Sequence, residues 1–283
     1  MAAIETISEH GCFGGVQGFY RHQSITIGLP MKFSVYQPPA AKLGPVPVLF
    51  YLAGLTCSEE TFMIKAGAQR FAAEHGLMLV SPDTSPRDTG IDGVDRDWDF
   101  GTGAGFYVDA TEAPWAQHFR MYSYIVSELR EIITKNFAAR ADRIGVFGHS
   151  MGGHGALVLA LRNPEIYKSV SAFAPIAAPS KCPWGEKAFS GYLGEDRLRW
   201  KDYDASRLMR QSSSPFPAGI LIDQGLSDKF LNSQLMPQEF ESACKLAAQP
   251  LTLRRHAGYD HGYYFIATFI EDHIRFHAKI LGA

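Results

Sequence analysis

A serine framed by glycines, Gly148-His149-Ser150-Met151-Gly152, is the first feature of this sequence with a chemical reading. The apolar run Arg143 to Phe147 precedes it and the helix-like stretch Gly153 to Ala160 follows. That is the strand, tight turn and helix of a nucleophile elbow. The turn strains the serine backbone and crowds its neighbours, which is why glycines flank it. A serine hydroxyl is a weak nucleophile until a base takes its proton, and the base needs a third group to fix its tautomer. The elbow therefore calls for an acid and then a histidine further along the chain.

The acid is expected after a later strand, and Ile220 to Asp228 offers two. Asp223 stands at the strand end, where it would orient loop backbone. Asp228 lies further out, where it can reach a histidine, and is preferred. Of the ten histidines, His256, His261, His273 and His277 follow this acid. His273 and His277 fall in a helical pattern and suit surface or packing roles, and His256 follows the last strand directly. His261 stands in the turn Gly258-Tyr259-Asp260-His261-Gly262 before the final helix, where a loop can approach the elbow, and is the expected base. His149 and His154 are read as structural, because an elbow turns adjacent side chains away from its serine. Two donors should face the oxyanion of a tetrahedral intermediate. The first is the N–H of Met151. The second is assigned to the N–H of Leu55, in the glycine-containing loop after the run Val48 to Leu52.

The elements that must position these groups show in the apolar pattern. Ser24–Ile27 and Met31–Tyr36 alternate around a Gly-Leu-Pro turn and predict an antiparallel hairpin at one sheet edge. Continuous apolar runs at 48–52, 77–80, 144–147, 170–174 and 220–222 suit strands buried on both faces. Helical spacing lies between them, clearest from Phe119 to Ile133. Leu251 and Leu253 predict a last strand, and Phe265, Ile266, Phe269, Ile270, Ile274 and Ile280 one face of a final helix. The expectation is an α/β-hydrolase fold, a mostly parallel sheet with an antiparallel N-terminal edge and helices on both faces, in one domain over residues 1–283. The stretch from Asp83 to Trp115 breaks the pattern. It is rich in Gly, Asp and aromatics, among them Trp98, Phe100, Phe106 and Tyr107, and reads either as a pocket wall or as a packed surface excursion.

Composition narrows the function classes. With 46% hydrophobic and 20% charged residues the chain can bury a sizeable core. Its 27 basic and 29 acidic residues give a net charge of −2, with no global field to draw nucleic acid or an anionic membrane. Cys12, Cys57, Cys182 and Cys244 lie far apart, form no metal-type spacing and fit a reduced, cytosolic protein. The N-terminal stretch lacks the basic and apolar regions of a signal peptide, and no run approaches a membrane span.

With these residues in place the sequence closely resembles the S-formylglutathione hydrolase (esterase D) family. The resemblance runs nearly end to end. It includes Gly54-Leu55-Thr56-Cys57, the block Trp98 to Tyr107, the elbow Gly148 to Gly155, Cys182-Pro183-Trp184-Gly185 and Tyr259-Asp260-His261. It implies a cytosolic enzyme, free of cofactor and metal and typically homodimeric, that splits S-formylglutathione into formate and glutathione and takes short esters as side substrates. It also implies the triad Ser150, Asp228 and His261, oxyanion donors at Leu55 and Met151, and a cysteine, Cys57, whose modification lowers activity. Cys57, Trp98 and Trp184 are pocket candidates; Lys65, Arg87, Asp95 and Lys187 are charged candidates for contact with glutathione, none of them assigned as a site. Cys57 fits equally well as a buried filler. Two positions depart from the family: Gly262 and Ala53 stand where serine is common, and Gly262 could loosen the histidine loop. A general carboxylesterase or acyltransferase on the same fold is the competing reading. A noncatalytic binding module would not require the full Ser, Asp and His set.

Overall fold

The apolar runs become strands in the computed structural model, which describes residues 3–212 and 216–283. Met1 and Ala2 of the N-terminal stretch lie outside the described residues. The strands are β1 (Ile4–Cys12), β2 (Gly15–Gln23), β3 (Pro30–Gln37), β4 (Val46–Leu52), β5 (Met78–Pro82), β6 (Ala139–His149), β7 (Tyr167–Phe173), β8 (Ile220–Gly225) and β9 (Leu251–His256). They form one sheet in the order β1-β2-β3-β5-β4-β6-β7-β8-β9. From β5 through β4 to β9 the pairing is parallel. Helices cover such strands on both sides, so β4 and β5 are buried at every position and read as unbroken apolar runs.

The antiparallel edge differs from the expected hairpin. Met31–Tyr36 lies in β3, but Ser24–Ile27 is a turn rather than a strand. There Glu128 accepts from Ser24 Oγ at 2.7 Å and from the N–H groups of Ile25 and Thr26 at 2.8 and 3.0 Å. The partner of β3 is β2, and β1 widens the edge to three strands. Neither carries a clean alternation. Strand β1 is mostly exposed along its length, and β2 holds Gly15 and Gly18.

The helices follow as α1 (Glu59–Lys65), α2 (Ala68–His75), α3 (Met121–Ser123), α4 (Arg130–Asn136), α5 (Met151–Arg162), α6 (Pro183–Leu193), α7 (Arg197–Trp200), α8 (Ala205–Arg210), α9 (Pro237–Leu246) and α10 (Tyr263–Leu281). A π-helical stretch, Tyr124–Leu129, joins α3 to α4, so the periodicity read from Phe119 to Ile133 is one helical segment from Met121 onward, with Phe119 just before it. Helices α5 and α10 lie on opposite faces of the sheet. Phe147, Ser169, Ser171 and Phe173 all touch His273 or His277 of α10. Strand alternation then turns Val146, Val170 and Ala172 to the other face, where α5 packs on β6 and β7.

His273 and His277 are fully buried, which corrects a surface reading and keeps the packing one. They belong to a polar line through the apolar layer. Asp223 Oδ2 lies 3.2 Å from His273 Nε2, and Ser171 Oγ is 2.8 Å from both His273 Nδ1 and His277 Nε2. Ser169 Oγ ends the line 2.6 Å from His277 Nδ1. A carboxylate only accepts, so His273 Nε2 donates to Asp223 and every later proton position follows along the line. Burial holds both imidazoles below their ordinary range, hence neutral.

The long loop after β5 packs as well as encloses. Phe106 and Tyr107 are fully buried, and the Tyr107 hydroxyl donates to Ala53 O at 2.8 Å. Thr84 Oγ1 and Arg87 Nη2 both donate to Cys57 O, at 2.6 and 3.1 Å, and Thr56 N donates to Gly103 O at 2.9 Å. The segment that carries Leu55 is thereby fastened from the side.

Glu59, at the head of α1, is a buried carboxyl group. Burial, and then the nearby Asp83, pushes it up to about 7. A folded value above the unfolded one means the folded chain holds this proton more tightly, so stability is greatest below the usual carboxyl range and falls until pH 7. Glu59→Gln should match the parent near pH 4.5 and exceed it by about 2 kcal/mol at pH 8. Urea denaturation at the two pH values measures the difference, and an equal gain at both would remove Glu59 as its source.

Candidate active site

Ser150 sits between the last residue of β6 and the first of α5, with φ 59° and ψ −118°. No ordinary side-chain-bearing residue favours that region, and the strain costs about 1–3 kcal/mol. The surroundings hold it. Ser150 N donates to Phe173 O at 3.0 Å, and Ser150 O accepts from His154 N at 3.0 Å and Ile176 N at 3.2 Å. A Cβ on Gly148 would lie 2.2 Å from Gly152 O, and one on Gly152 would lie 1.9 Å from Leu52 O. Both glycines are therefore required by contact with backbone.

The loops after strands β8 and β9 carry Asp228 and His261. Beyond the strand ends, Leu226 N donates to His256 O and Ser227 N to Tyr259 O, both at 2.9 Å, so the two loops travel together. Asp228 Oδ2 stands 2.5 Å from His261 Nδ1. Its other oxygen accepts from Phe230 N at 2.8 Å, and Gln224 Nε2 reaches Oδ2 at 3.4 Å. The Asp228 side chain is fully buried and that of His261 is 17% exposed. A buried acceptor at Nδ1 puts the ring proton there and leaves Nε2 as a bare acceptor facing the pocket. Ser150 Oγ makes no hydrogen bond among the described residues, to His261 Nε2 or to any other group.

Ser150 and His261 share one cavity of about 180 Å³ with Leu55, Cys57, Trp98 and Trp184. The N–H groups of Leu55 and Met151 donate to no described backbone or side-chain acceptor. Met151 opens α5, whose first N–H groups have no partner within the helix and whose dipole favours negative charge there. The chemistry on offer is attack on an acyl carbon, with an oxyanion met by two backbone donors. Among the described residues no group of three or more His, Cys, Asp or Glu could hold a metal ion. No described helix is long and apolar enough to cross a membrane.

Residues 24–276 match a family described as "Putative esterase". The S-formylglutathione hydrolase of Mus musculus is 55% identical over 282 residues, covering 99% of this chain and 100% of that protein. That of Paracoccus denitrificans is 54% identical over 280 residues, 99% of both chains. The chain belongs to the S-formylglutathione hydrolase family. A solved structure of the Agrobacterium tumefaciens S-formylglutathione hydrolase superposes with a TM-score of 0.96 at 50% identity, covering 98% of this chain and 100% of that one. The α/β-hydrolase fold expected from the strand pattern stands on the same likeness.

Several readings change within this family frame. His149 does not turn away from the nucleophile: it lines the same cavity, with its ring centroid 4.4 Å from that of His261. It is the preceding strand residue, and the expected divergence fails because Gly54, which has no side chain, leaves room for its ring. Burial, and then His261 itself, keeps His149 well below its ordinary range and so neutral. Phe230 and Tyr263 also line the cavity and carried no motif that would reveal them. Tyr263, the first residue of α10, could have been read from its place two residues after His261.

Asp223 does not orient loop backbone. Arg254 grips it with two nitrogens, Nε at 2.6 Å and Nη2 at 2.5 Å, and His256 Nε2 lies 3.2 Å from Oδ1. Burial opposes ionisation, but hydrogen bonds from His273 and Arg254 hold Asp223 well below the carboxylate range. His256 belongs to this cluster and stacks on Phe269. The loop around Gly262 is not slack, since Gly262 N donates to Asp260 Oδ1 at 2.8 Å. Burial pushes the Cys57 thiol up, so Cys57 lines the cavity without being an activated thiol. Arg87 is committed to Asp83 and Cys57 O, and Lys187 to Asp97 and Asp99. Lys65 is exposed, with Nζ 5.7 Å from the Tyr263 ring centroid, and Asp95 is exposed beside the Arg87 loop.

The two aspartates should separate cleanly on substitution. Asp228→Asn removes the acceptor that fixes the His261 tautomer and should lower kcat by about 10⁴-fold while the fold persists. Asp223→Asn strips a buried carboxylate from Arg254 and His273 and should cost about 3 kcal/mol of stability, with kcat per folded molecule nearly unchanged. Steady-state kinetics beside thermal denaturation of both proteins check this; a reversed pattern contradicts the assignment.

Proposed function

We propose that this chain hydrolyses S-formylglutathione to formate and glutathione, with Ser150 as nucleophile, His261 as base and Asp228 as the acid that orients it. The observation that carries the reading is the Asp228–His261 pair at 2.5 Å, facing one cavity with the strained Ser150. It stands in a chain whose full-length relatives bear that activity in their names.

Ser150 Oγ attacks the formyl carbon as His261 Nε2 takes its proton, and the carbonyl oxygen becomes an oxyanion held by the Leu55 and Met151 N–H groups. Collapse breaks the carbon–sulfur bond. The sulfur of glutathione leaves with the proton from His261, and Ser150 holds a formyl ester. Water, deprotonated by His261, attacks that ester through a second oxyanion. Ser150 regains the proton and formate departs. A formyl group has no carbon chain, which suits an acyl cavity well below the ~300 Å³ of drug-sized pockets. The same space admits short oxygen esters, which supports a side activity as a short-chain carboxylesterase.

The single nine-stranded sheet supports reading residues 1–283 as one domain. The resemblance supports a homodimer at work in the cytosol, and the net charge of −2 supports a small-molecule substrate without nucleic-acid or membrane partners.

Parallel kinetics on S-formylglutathione, S-acetylglutathione and p-nitrophenyl acetate test the function. S-formylglutathione should give the highest kcat/KM, and Ser150→Ala should lose about 10⁴-fold or more on all three substrates. Intact mass should show a transient adduct on Ser150 in the parent alone. A folded Ser150→Ala protein with near-parent turnover would falsify the mechanism, and a preference for the oxygen ester would favour the carboxylesterase.

A further inference from the structure

The cavity is large enough for the acyl group and the sulfur but not for a peptidic leaving group. The rest of that group must lie at the mouth, against whatever forms the outer wall. That wall is aromatic and continuous with the catalytic base. The Trp98 and Trp184 rings meet edge to face at 5.5 Å, Trp184 meets Phe230 at 4.6 Å, and Phe230 meets the His261 ring at 5.2 Å. Trp184 and Phe230 are built into the body of the protein: Trp184 N donates to Gln234 Oε1 at 3.0 Å, and Phe230 N to Asp228 Oδ1 at 2.8 Å.

Trp98 is different. It is 57% exposed and rides on the outermost part of the long loop. Among the described residues, the backbone hydrogen bonds of the 92–99 stretch stay inside the loop: Val94 N to Ile91 O, Arg96 N to Gly93 O, Phe100 N to Asp97 O and Thr102 N to Val94 O. None ties Trp98 to the wall. Lys187 does so through its neighbours, since Nζ lies 3.0 Å from Asp97 Oδ2 and 2.5 Å from Asp99 Oδ1, the residues on either side of Trp98. Lys187 stands three residues after Trp184 on α6, hence on the same helix face. One ammonium thus pins both flanks of Trp98 to the helix that carries Trp184.

We propose that Lys187 is a positioning residue that holds Trp98 against Trp184 as a wall for the thiol half of the substrate; this rests on the thioesterase reading above. Lys187 touches neither the reacting atoms nor the cavity. Its three charges are partly exposed, so salt weakens the clasp. Loss of the clasp acts on binding of a bulky thiol and leaves the acyl chemistry alone.

The test uses the full chain with Lys187→Met, Lys187→Arg and the double variant Asp97→Asn, Asp99→Asn. KM and kcat are measured on S-formylglutathione and on p-nitrophenyl acetate, beside the melting temperature. Lys187→Met and the double variant should each raise KM for S-formylglutathione by about three- to tenfold, with kcat and the p-nitrophenyl acetate constants within about twofold of the parent. Lys187→Arg should restore most of the loss. Raising NaCl to about 0.5 M should increase the parent KM more than that of Lys187→Met, whose clasp is already gone. An unmoved KM in Lys187→Met overturns the proposal. A raised KM in Lys187→Met with a normal one in the double variant overturns it too, because Lys187 would then bind the substrate directly. Equal losses on both substrates with a lower melting temperature would make the clasp merely structural. A parent enzyme that turns over the oxygen ester but not S-formylglutathione sinks the function reading and this one with it. Turnover of S-formylglutathione with an unmoved Lys187→Met KM sinks only the Lys187 assignment.

Discussion

Ser150 is held in a backbone conformation that its side chain disfavours, and most of the surrounding structure follows from keeping it there. At φ 59° the chain reverses within one residue from β6 into α5. That reversal lifts Oγ clear of the sheet, opens α5 at Met151 with an unpaired N–H, and brings Leu52 O so close to residue 152 that only glycine fits. The strain of about 1–3 kcal/mol is offset locally by three backbone hydrogen bonds to Ser150, each worth about 1 kcal/mol, and by the burial of α5. The strained serine, the free Met151 N–H and the glycine pattern are three consequences of one turn.

Among the described residues two imidazoles are hydrogen-bonded to an aspartate, His273 to Asp223 and His261 to Asp228, and only His261 keeps its other ring nitrogen free. In both, a buried carboxylate fixes the tautomer of an imidazole. They differ at the far ring nitrogen. Ser171 donates its proton into His273 Nδ1, and Ser171 in turn accepts from His277, so that line is saturated and closed to solvent. His261 keeps Nε2 free, and its side chain stays partly open to the pocket. The same three residue types stabilise a core in one place and present an unsatisfied base in the other. Saturation, rather than residue identity, separates the two. His149 fits this division: lying against His261, it remains neutral and places no positive charge beside that ring.

The long loop after β5 connects the site to its surroundings. Its inner part is core, with Tyr107 bonded to Ala53 and Thr84 and Arg87 bonded to Cys57 O, so it braces the segment that presents the Leu55 N–H. Its outer part carries Trp98 to the cavity mouth. One loop thereby braces the 53–57 segment and forms pocket wall, which accounts for an aromatic, glycine-rich stretch without periodicity.

The local pattern determined what depends on neighbours in the chain. The parallel strands announced themselves because burial on both faces demands unbroken apolar runs, and the elbow because its turn demands glycine on each side of a serine. The expectation that an acid and then a histidine follow Ser150 comes from the topology those strands imply. Tertiary structure alone decided what depends on approach between distant segments. Strands β1 and β2 carry little apolar alternation, because β1 is exposed and β2 holds glycines, so only the pairing of β2 with β3 and of β1 with β2 defines them. Asp223 and Asp228 differ by five positions in one loop-bound segment, and their roles separate only when Arg254 and His273 reach one while His261 reaches the other. His149 faces the pocket because Gly54, some ninety-five residues earlier in the chain, leaves space for its ring. Lys187 stands in the sequence as one of four unassigned charged candidates, and only the folded loop shows it already taken by Asp97 and Asp99. Charge and hydrogen-bond capacity are properties of a residue, but which partner satisfies them is a property of the packed chain.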